Sequence, residues 1–292
     1  MTSIFTGEKT VLEFFEALWH YTFLQYALLI GIMASVACGI VGTYVVTRRI
    51  TYIGGGIAHS VLGGMGVAYY LSVVYGWEAW HPSYGAVIAA LLAAVIIGLV
   101  SLKARQREDT VISALWAIGM AVGIIFIYRT PGYNQNLMSY LFGNILMVTP
   151  ADIWLIAFLD ALVVLISSLF YHQLMAVCFD EEFARVRGLN VEFYYLLLLC
   201  LTALTVVILV TVVGVVMVIA LLTIPVAVAG YFSRSLWRIM VLAALFSMVF
   251  TTAGLALSYG PDLPSGATII LLAGGSYILV AAGAKLKDYL RV

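Results

Sequence analysis

Charged residues are scarce in this chain. Asp, Glu, Lys and Arg make up 10% of its 292 residues, whereas 64% of the residues are hydrophobic. In soluble domains about a quarter of the residues are charged. The mean hydropathy of this chain is +1.10. The composition excludes a soluble globular protein and predicts an all-α protein that crosses the membrane many times.

Cysteine is rare, and the common catalytic motifs are absent. Cys38, Cys178 and Cys200 show no CxxC spacing, so neither a disulfide framework nor a thiolate metal centre is predicted. The sequence contains no HExxH, no GxSxG and no GxxxxGK[ST] phosphate loop. We therefore expect a protein that is not an enzyme. No permanent cofactor and no nucleic-acid partner are expected either.

Nine apolar segments are long enough to cross a bilayer, which takes about 20 residues in a helix. The sixth and seventh segments meet near Thr211 to Gly214 with almost no loop, so eight spans with one broken helix there are the alternative. The nine segments cover approximately residues 23–46, 52–75, 84–102, 111–128, 151–171, 193–212, 215–232, 236–258 and 267–284.

Basic residues fall on alternate loops. Twelve of the 14 lie on one predicted side, and Lys9 and Arg129 are left opposite. Because loops rich in Lys and Arg stay in the cytoplasm, the N-terminus is predicted outside and the C-terminus inside. Residues 1–292 are then interpreted as a single transmembrane domain, with residues 1–22 at the outer interface.

The second span is rich in glycine and contains a histidine. His59 lies among six glycines between Tyr52 and Leu71. Gly56, Ser60 and Gly64 recur every four residues, which predicts a stripe of small side chains against which another helix packs closely. A neutral imidazole beside that interface could bind a metal such as zinc. The alternative is that it donates a hydrogen bond to a carbonyl between helices.

Asp160 is the second ionisable side chain deep inside a span. Its predicted depth differs from that of His59 by about 6 Å in a hydrocarbon core about 30 Å thick. An acid and an imidazole near the midplane would suit a cation path. Alternatively, Asp160 is protonated, or it makes a polar contact with a neighbouring helix.

A polar segment separates the fifth and sixth spans. Acids begin it and bases end it, an order that the helix dipole favours, so residues 180–189 predict a short cytoplasmic helix that stops at a glycine. Within it, Glu182-Phe-Ala184-x-x-x-Gly188 resembles the coupling motif by which importer permeases dock onto their ATPase subunits. The residues assigned to that contact are Asp180, Glu181, Glu182, Phe183, Ala184, Arg185, Gly188 and Leu189.

Five sequence blocks occur in a characteristic order: RRITYIGGGIAHSVLGG, LFGNILMVTPADIW, FDEEFARVRGLNVEFYYLLL, GVVMVIALLTIPVAVA and LPSGATIILLAGGSYIL. Together they resemble the membrane permease of zinc and manganese ABC importers. The resemblance implies a homodimer in the inner membrane of a prokaryote, two cytoplasmic ATP-binding subunits and an extracytoplasmic metal-binding protein. It also implies a divalent metal substrate, with zinc expected first and manganese or iron as alternatives.

The chain departs from that family at one position. The family motif reads Gly-Asp-x-x-x-His, and its aspartate and histidine are the pair expected along the metal path. Here the histidine is His59, but Gly55 occupies the aspartate position. We hypothesise that Asp160 restores the missing carboxylate from another helix.

Other residues have predicted roles away from this pair. On the outer side, Glu78, His81 and Asp262 are candidates to receive a cation or to contact the metal-binding protein. Pro225 is expected to kink its span, because proline removes a backbone hydrogen bond. Leu137 to Met147 is interpreted as a short re-entrant or interfacial helix.

Two other transport functions remain open from sequence alone. One is the permease of a cobalamin or siderophore importer, which shares the architecture. The other is a proton-coupled secondary transporter that uses Asp160.

Overall fold

The computed structural model describes residues 7–77, 80–103, 108–131 and 145–289. Within these ranges the chain is helical and contains no strand. A 3₁₀ turn covers Ile145–Met147. The helices are α1 (Gly7–His20), α2 (Thr22–Thr47), α3 (Ile53–Tyr75), α4 (Pro82–Lys103), α5 (Glu108–Arg129), α6 (Pro150–Leu169), α7 (Tyr171–Phe179), α8 (Glu181–Val186), α9 (Val191–Val213), α10 (Val215–Phe232), α11 (Leu236–Tyr259) and α12 (Ser265–Tyr289).

Nine of these helices, α2 to α6 and α9 to α12, are long and apolar enough to cross a membrane, counted over the described part of the chain. This confirms the all-α membrane fold and the nine predicted segments. Gly214 separates α9 from α10 and has φ +86° and ψ 159°. Because side chains disfavour positive φ, a glycine is suited to ending one helix and starting the next without a loop.

The chain divides into two compact units. Unit 1 contains Met1–Thr43, Met138–Val164 and Thr211–Val292, and unit 2 contains Tyr44–Leu137 and Leu165–Val210. The single domain predicted from sequence therefore has internal organisation, and each unit has its own packing.

Unit 1 is built around α10, α11 and α12, which pack against one another. Val228, Phe250 and Ala273, one from each helix, form a buried apolar cluster. The N-terminal α1 lies against the end of α11, where the buried ring of Phe14 meets Tyr259 edge-on at 6.1 Å between centroids.

Unit 2 is built around α3, which packs against α4 and α5. Gly64 of α3 lies so close to Gly85 of α4 that a Cβ on either residue would overlap the other's carbonyl oxygen. On the α5 side, Gly56 meets Ile112, and a Cβ there would overlap its side chain. Small residues thus bring three helices together around the glycine-rich span.

Candidate functional site

His59 lies inside α3 in unit 2, with 8% of its surface exposed. Its imidazole stacks on the indole of Trp116 in α5. The ring centroids are 4.6 Å apart and the planes differ by 11°. The face of a stacked ring is covered, which leaves the edge, where both nitrogens lie, as the part of the imidazole that can bind a ligand.

The close approach of α5 explains this stack. Gly119 of α5 lies against the backbone of Ser60 and the carbonyl oxygen of His59, and a Cβ at Gly119 would be 2.6 Å from the Ser60 Cα. The Ser60 hydroxyl donates to the Gly56 carbonyl at 2.9 Å within α3 and makes a longer contact of 3.4 Å with the Leu115 carbonyl of α5. Because the two backbones lie this close together, the flat rings of Trp116 and His59 stack on each other.

The sequence patterns described above do not identify Trp116 as a neighbour of His59. A signal for it exists, because Gly119 and Gly123 lie four residues apart in α5 and both contact the α3 backbone. Such a small-residue repeat predicts a helix interface in a membrane. Trp116 precedes Gly119 by three residues and therefore lies on the same helix face.

Gly55 is buried in the first turns of α3, at the position where the related motif has aspartate. Across the described residues no group of three or more His, Cys, Asp or Glu side chains is arranged to bind a metal ion. Among those residues His59 therefore belongs to no such group.

Asp160 lies in α6, in unit 1. Its Oδ1 atom is buried and has no hydrogen-bond partner. The carboxyl lies within electrostatic range of the Cys38 thiol of α2. Because His59 and Asp160 belong to different units, their pairing stays a prediction.

The predicted cytoplasmic helix is present as α8, and local interactions define both of its ends. The Asp180 carboxylate caps the start by accepting a hydrogen bond from the Phe183 amide at 2.9 Å. At the other end Gly188 has φ +78°, and the Leu189 amide donates to the Ala184 carbonyl at 3.1 Å. This is the left-handed glycine cap that ends many helices.

The surface of α8 presents apolar side chains outside the spans. Phe183 is 51% exposed and Val186 is 88% exposed, whereas Ala184 between them is buried. The guanidinium of Arg187 lies 5.0 Å from the centre of the Phe183 ring. Glu181, Glu182 and Arg185 complete the charged part of this helix.

The other sequence-predicted residues are dispersed. Glu78 lies outside the described residues, and so do residues 137–144 of the predicted re-entrant segment. His81 precedes α4 and makes a 3.0 Å hydrogen bond through Nδ1 with the Ser83 hydroxyl. Asp262 has φ +55° in the turn between α11 and α12. Pro225 lies inside α10.

Comparisons with known proteins give consistent results over most of the chain. The model of the ABC 3 transport family matches residues 20–284. A probable metal transport system membrane protein of Chlamydia trachomatis is 42% identical over 87% of this chain and 86% of its own length. The manganese transport system membrane protein MntC of Halalkalibacterium halodurans is 34% identical over 91% of this chain and 89% of its own.

A solved structure is similar as well. PsaBC from Streptococcus pneumoniae in complex with Fab matches with a TM-score of 0.79 and 31% sequence identity, covering 92% of this chain and 95% of the matched chain. The similarity in fold and in sequence thus extends over about nine tenths of the chain in each of these comparisons.

Proposed function

This chain belongs to the ABC 3 transport family, and from that premise we propose that it is the membrane permease of an ATP-driven importer of divalent metal ions. The observation that carries the proposal is the similarity to MntC over 91% of the chain. ATP hydrolysis is assigned to a separate cytoplasmic ATPase, because the sequence of this chain contains no phosphate loop. An extracytoplasmic metal-binding protein and a second copy of the permease complete the transporter.

Manganese is the favoured substrate, because one of the relatives, MntC, is a manganese transport system protein. Zinc, the metal expected first from the sequence resemblance, is the competing substrate. Imidazole and carboxylate ligands bind both ions, and the affinity order of these ions does not by itself decide which one a transporter carries.

In this proposal His59 is a ligand on the metal path, and Asp160 supplies the carboxylate that Gly55 lacks. The imidazole is buried and one face of its ring is stacked on Trp116, which restricts the directions from which an ion reaches its nitrogens. A carboxylate oxygen without a hydrogen-bond partner, as at Asp160, is costly inside a membrane unless a cation or proton neutralises it. A passing divalent ion would supply that charge.

The exposed helix α8 is the proposed contact with the ATPase. Its apolar side chains Phe183 and Val186 lie beside charged residues, the combination expected at a docking surface. ATP binding draws the ATPase subunits together, and α8 carries that movement to the spans. The permease then alternates between access from outside and access from the cytoplasm.

The test is uptake of radioactive manganese by cells that express the chain with its ATPase and binding protein. Uptake should require all three proteins, and His59→Ala should abolish it while the ATPase still co-purifies. The decrease in manganese uptake caused by excess unlabelled zinc measures how well zinc competes as a substrate. Uptake at the wild-type rate in His59→Ala would remove His59 from the path, and uptake without the ATPase would favour proton coupling instead.

A further inference from the structure

Arg48 links several elements at the start of the connection between α2 and α3. It follows Thr47, the last residue of α2, and its side chain is 15% exposed. One guanidinium nitrogen, Nη1, donates to the carbonyl oxygen of Val177 at 2.9 Å. The other, Nη2, forms an ion pair with the carboxylate of Glu181. The central Cζ lies 4.8 Å from the centre of the Tyr195 ring.

These three interactions reach three different helices of unit 2. Val177 belongs to α7, Glu181 is the first residue of α8, and Tyr195 lies in the early part of α9. Arginine can make them simultaneously, because its planar guanidinium presents several donors in a fixed fork and also stacks on aromatic rings. Lysine has a single ammonium group and cannot satisfy the same set.

The Arg48 and Glu181 pair also differs from an ordinary surface ion pair. Exposed pairs contribute little, because water screens the charges and two flexible side chains must be ordered. Here Arg48 is 15% exposed and Glu181 is 29% exposed, and Arg48 has additional partners that restrict its side chain. The geometry is therefore that of a fixed attachment.

Arg48 lies shortly before the helix that contains the candidate metal ligand His59. The next residue, Arg49, has φ +65° and turns the backbone out of α2. The glycine-rich helix α3, which contains His59, begins at Ile53. A side chain that binds the first residue of α8 thus lies five residues before the helix of the candidate metal ligand.

We propose that Arg48 is a positioning residue that attaches the coupling helix α8 to the turn between α2 and α3, so that movement of α8 reaches α3. The inference rests on the proposed function, since α8 moves with the ATPase only if it is the contact. Arg48 itself touches neither metal nor nucleotide.

The experiment uses the assembled transporter in vesicles, with the co-expressed ATPase subunit and the metal-binding protein. The readouts are manganese uptake, stimulation of ATP hydrolysis by the binding protein, and the amount of ATPase that co-purifies. Arg48→Ala should lower uptake and stimulation by about tenfold, since it removes a charge-assisted contact and leaves the Glu181 carboxylate unpaired. The ATPase should still co-purify, because the exposed face of α8 is unchanged.

Arg49→Ala is the matched control. It removes the same charge from the neighbouring position, and the Arg49 side chain is exposed. Stimulation should stay within about twofold of wild type in this variant. An equal loss in both variants would overturn the proposal, because general loss of positive charge would then explain the result.

Conservative variants decide the case in which Arg48→Ala fails to fold. Arg48→Lys keeps the positive charge but loses the guanidinium fork, whereas Glu181→Gln keeps the side-chain size and a hydrogen-bond acceptor but loses the charge. Each variant should lower stimulation. Combined, they should be no worse than the more severe single variant, because both break the same link. Additive losses would overturn the proposal.

Failure of the proposed function looks different. A wild-type complex whose ATPase does not respond to the binding protein would overturn both ideas. A normal response in wild type and in Arg48→Ala would overturn the role of Arg48 alone.

Discussion

The imidazole of His59 stacks on the indole of Trp116 with 4.6 Å between ring centroids. The two residues come from different helices, and the small residues between those helices allow the contact. The stack fixes the orientation of a buried histidine, and it gives the proposed metal ligand a neighbour whose removal can be tested without removing the ligand.

Trp116→Ala should lower manganese uptake by about two- to tenfold, because a stacked aromatic pair contributes about 0.5–1.5 kcal/mol beyond its buried area. Without the indole the imidazole gains rotamer freedom and spends less time in the binding orientation. Trp116→Phe should retain part of the activity. The control is Trp154→Ala, which removes an indole that is 78% exposed. Wild-type uptake in Trp116→Ala would show that the stack does not orient His59.

Gly64→Ala should destabilise unit 2, because the added Cβ would overlap the carbonyl oxygen of Gly85. Overpacking of this kind typically costs about 1–3 kcal/mol. The measurement is the thermal unfolding midpoint in detergent. Gly274→Ala is the matched control, because nothing lies within 4 Å of its added Cβ. Equal midpoints for the two variants would contradict the close packing of α3 on α4.

Gly188→Leu should release the ATPase or uncouple it, because a side chain at φ +78° costs about 1–2 kcal/mol and disturbs the end of α8. Glu182→Arg, which reverses a charge in the first turn, should have a similar effect. Gly76→Leu is the control, because Gly76 caps α3 with φ +69° and also has nothing within 4 Å of an added Cβ. If the ATPase in Gly188→Leu still co-purifies and responds to the binding protein, the contact lies elsewhere.

Asp160→Asn should impair transport, and adding Gly55→Asp should restore part of the loss. The reason is that the second change returns a carboxylate to the position where the related motif has one. A buried protonated acid that only ties helices together predicts a different result, namely a nearly silent Asp160→Asn, since the amide keeps the hydrogen bonding. Uptake by the single and double variants distinguishes the two roles.

Cys178 should react very slowly with a maleimide at pH 8. The thiol is 6% exposed, and burial raises its pKa to about 12 although the nearby Arg48 guanidinium opposes the shift. Only about one thiol in ten thousand is then ionised, and the thiolate is the reactive form. The experiment compares native and SDS-unfolded protein in a Cys38→Ala, Cys200→Ala background. Rapid labelling of the native protein would contradict the burial.

The raised pKa of Cys178 also makes the stability of the folded chain depend on pH. A thiol whose pKa is higher in the folded than in the unfolded chain favours folding below the unfolded value of about 9. That contribution falls as the pH rises from about 9 toward 12. Replacing Cys178 by Ala should therefore remove this alkaline component from the pH profile of thermal unfolding.

The sequence by itself determined the features that depend on neighbouring residues. Hydropathy over windows of about 20 residues identified the nine spans. The order of charges from Asp180 to Arg187, followed by Gly188, predicted α8, because helix caps form between residues only a few positions apart. The five sequence blocks indicated the family without information on any tertiary contact.

Only the tertiary structure decided which side chains meet across the chain. Arg48 and Glu181 are 133 residues apart in sequence, and nothing local to either residue specifies the other. The stack of Trp116 on His59 likewise depends on how closely α5 approaches α3, which is set by packing at Gly119. Hydropathy and helix capping are local properties, whereas these contacts arise when distant helices pack together. The physical reason is that packing selects one arrangement among many that the same apolar segments could adopt.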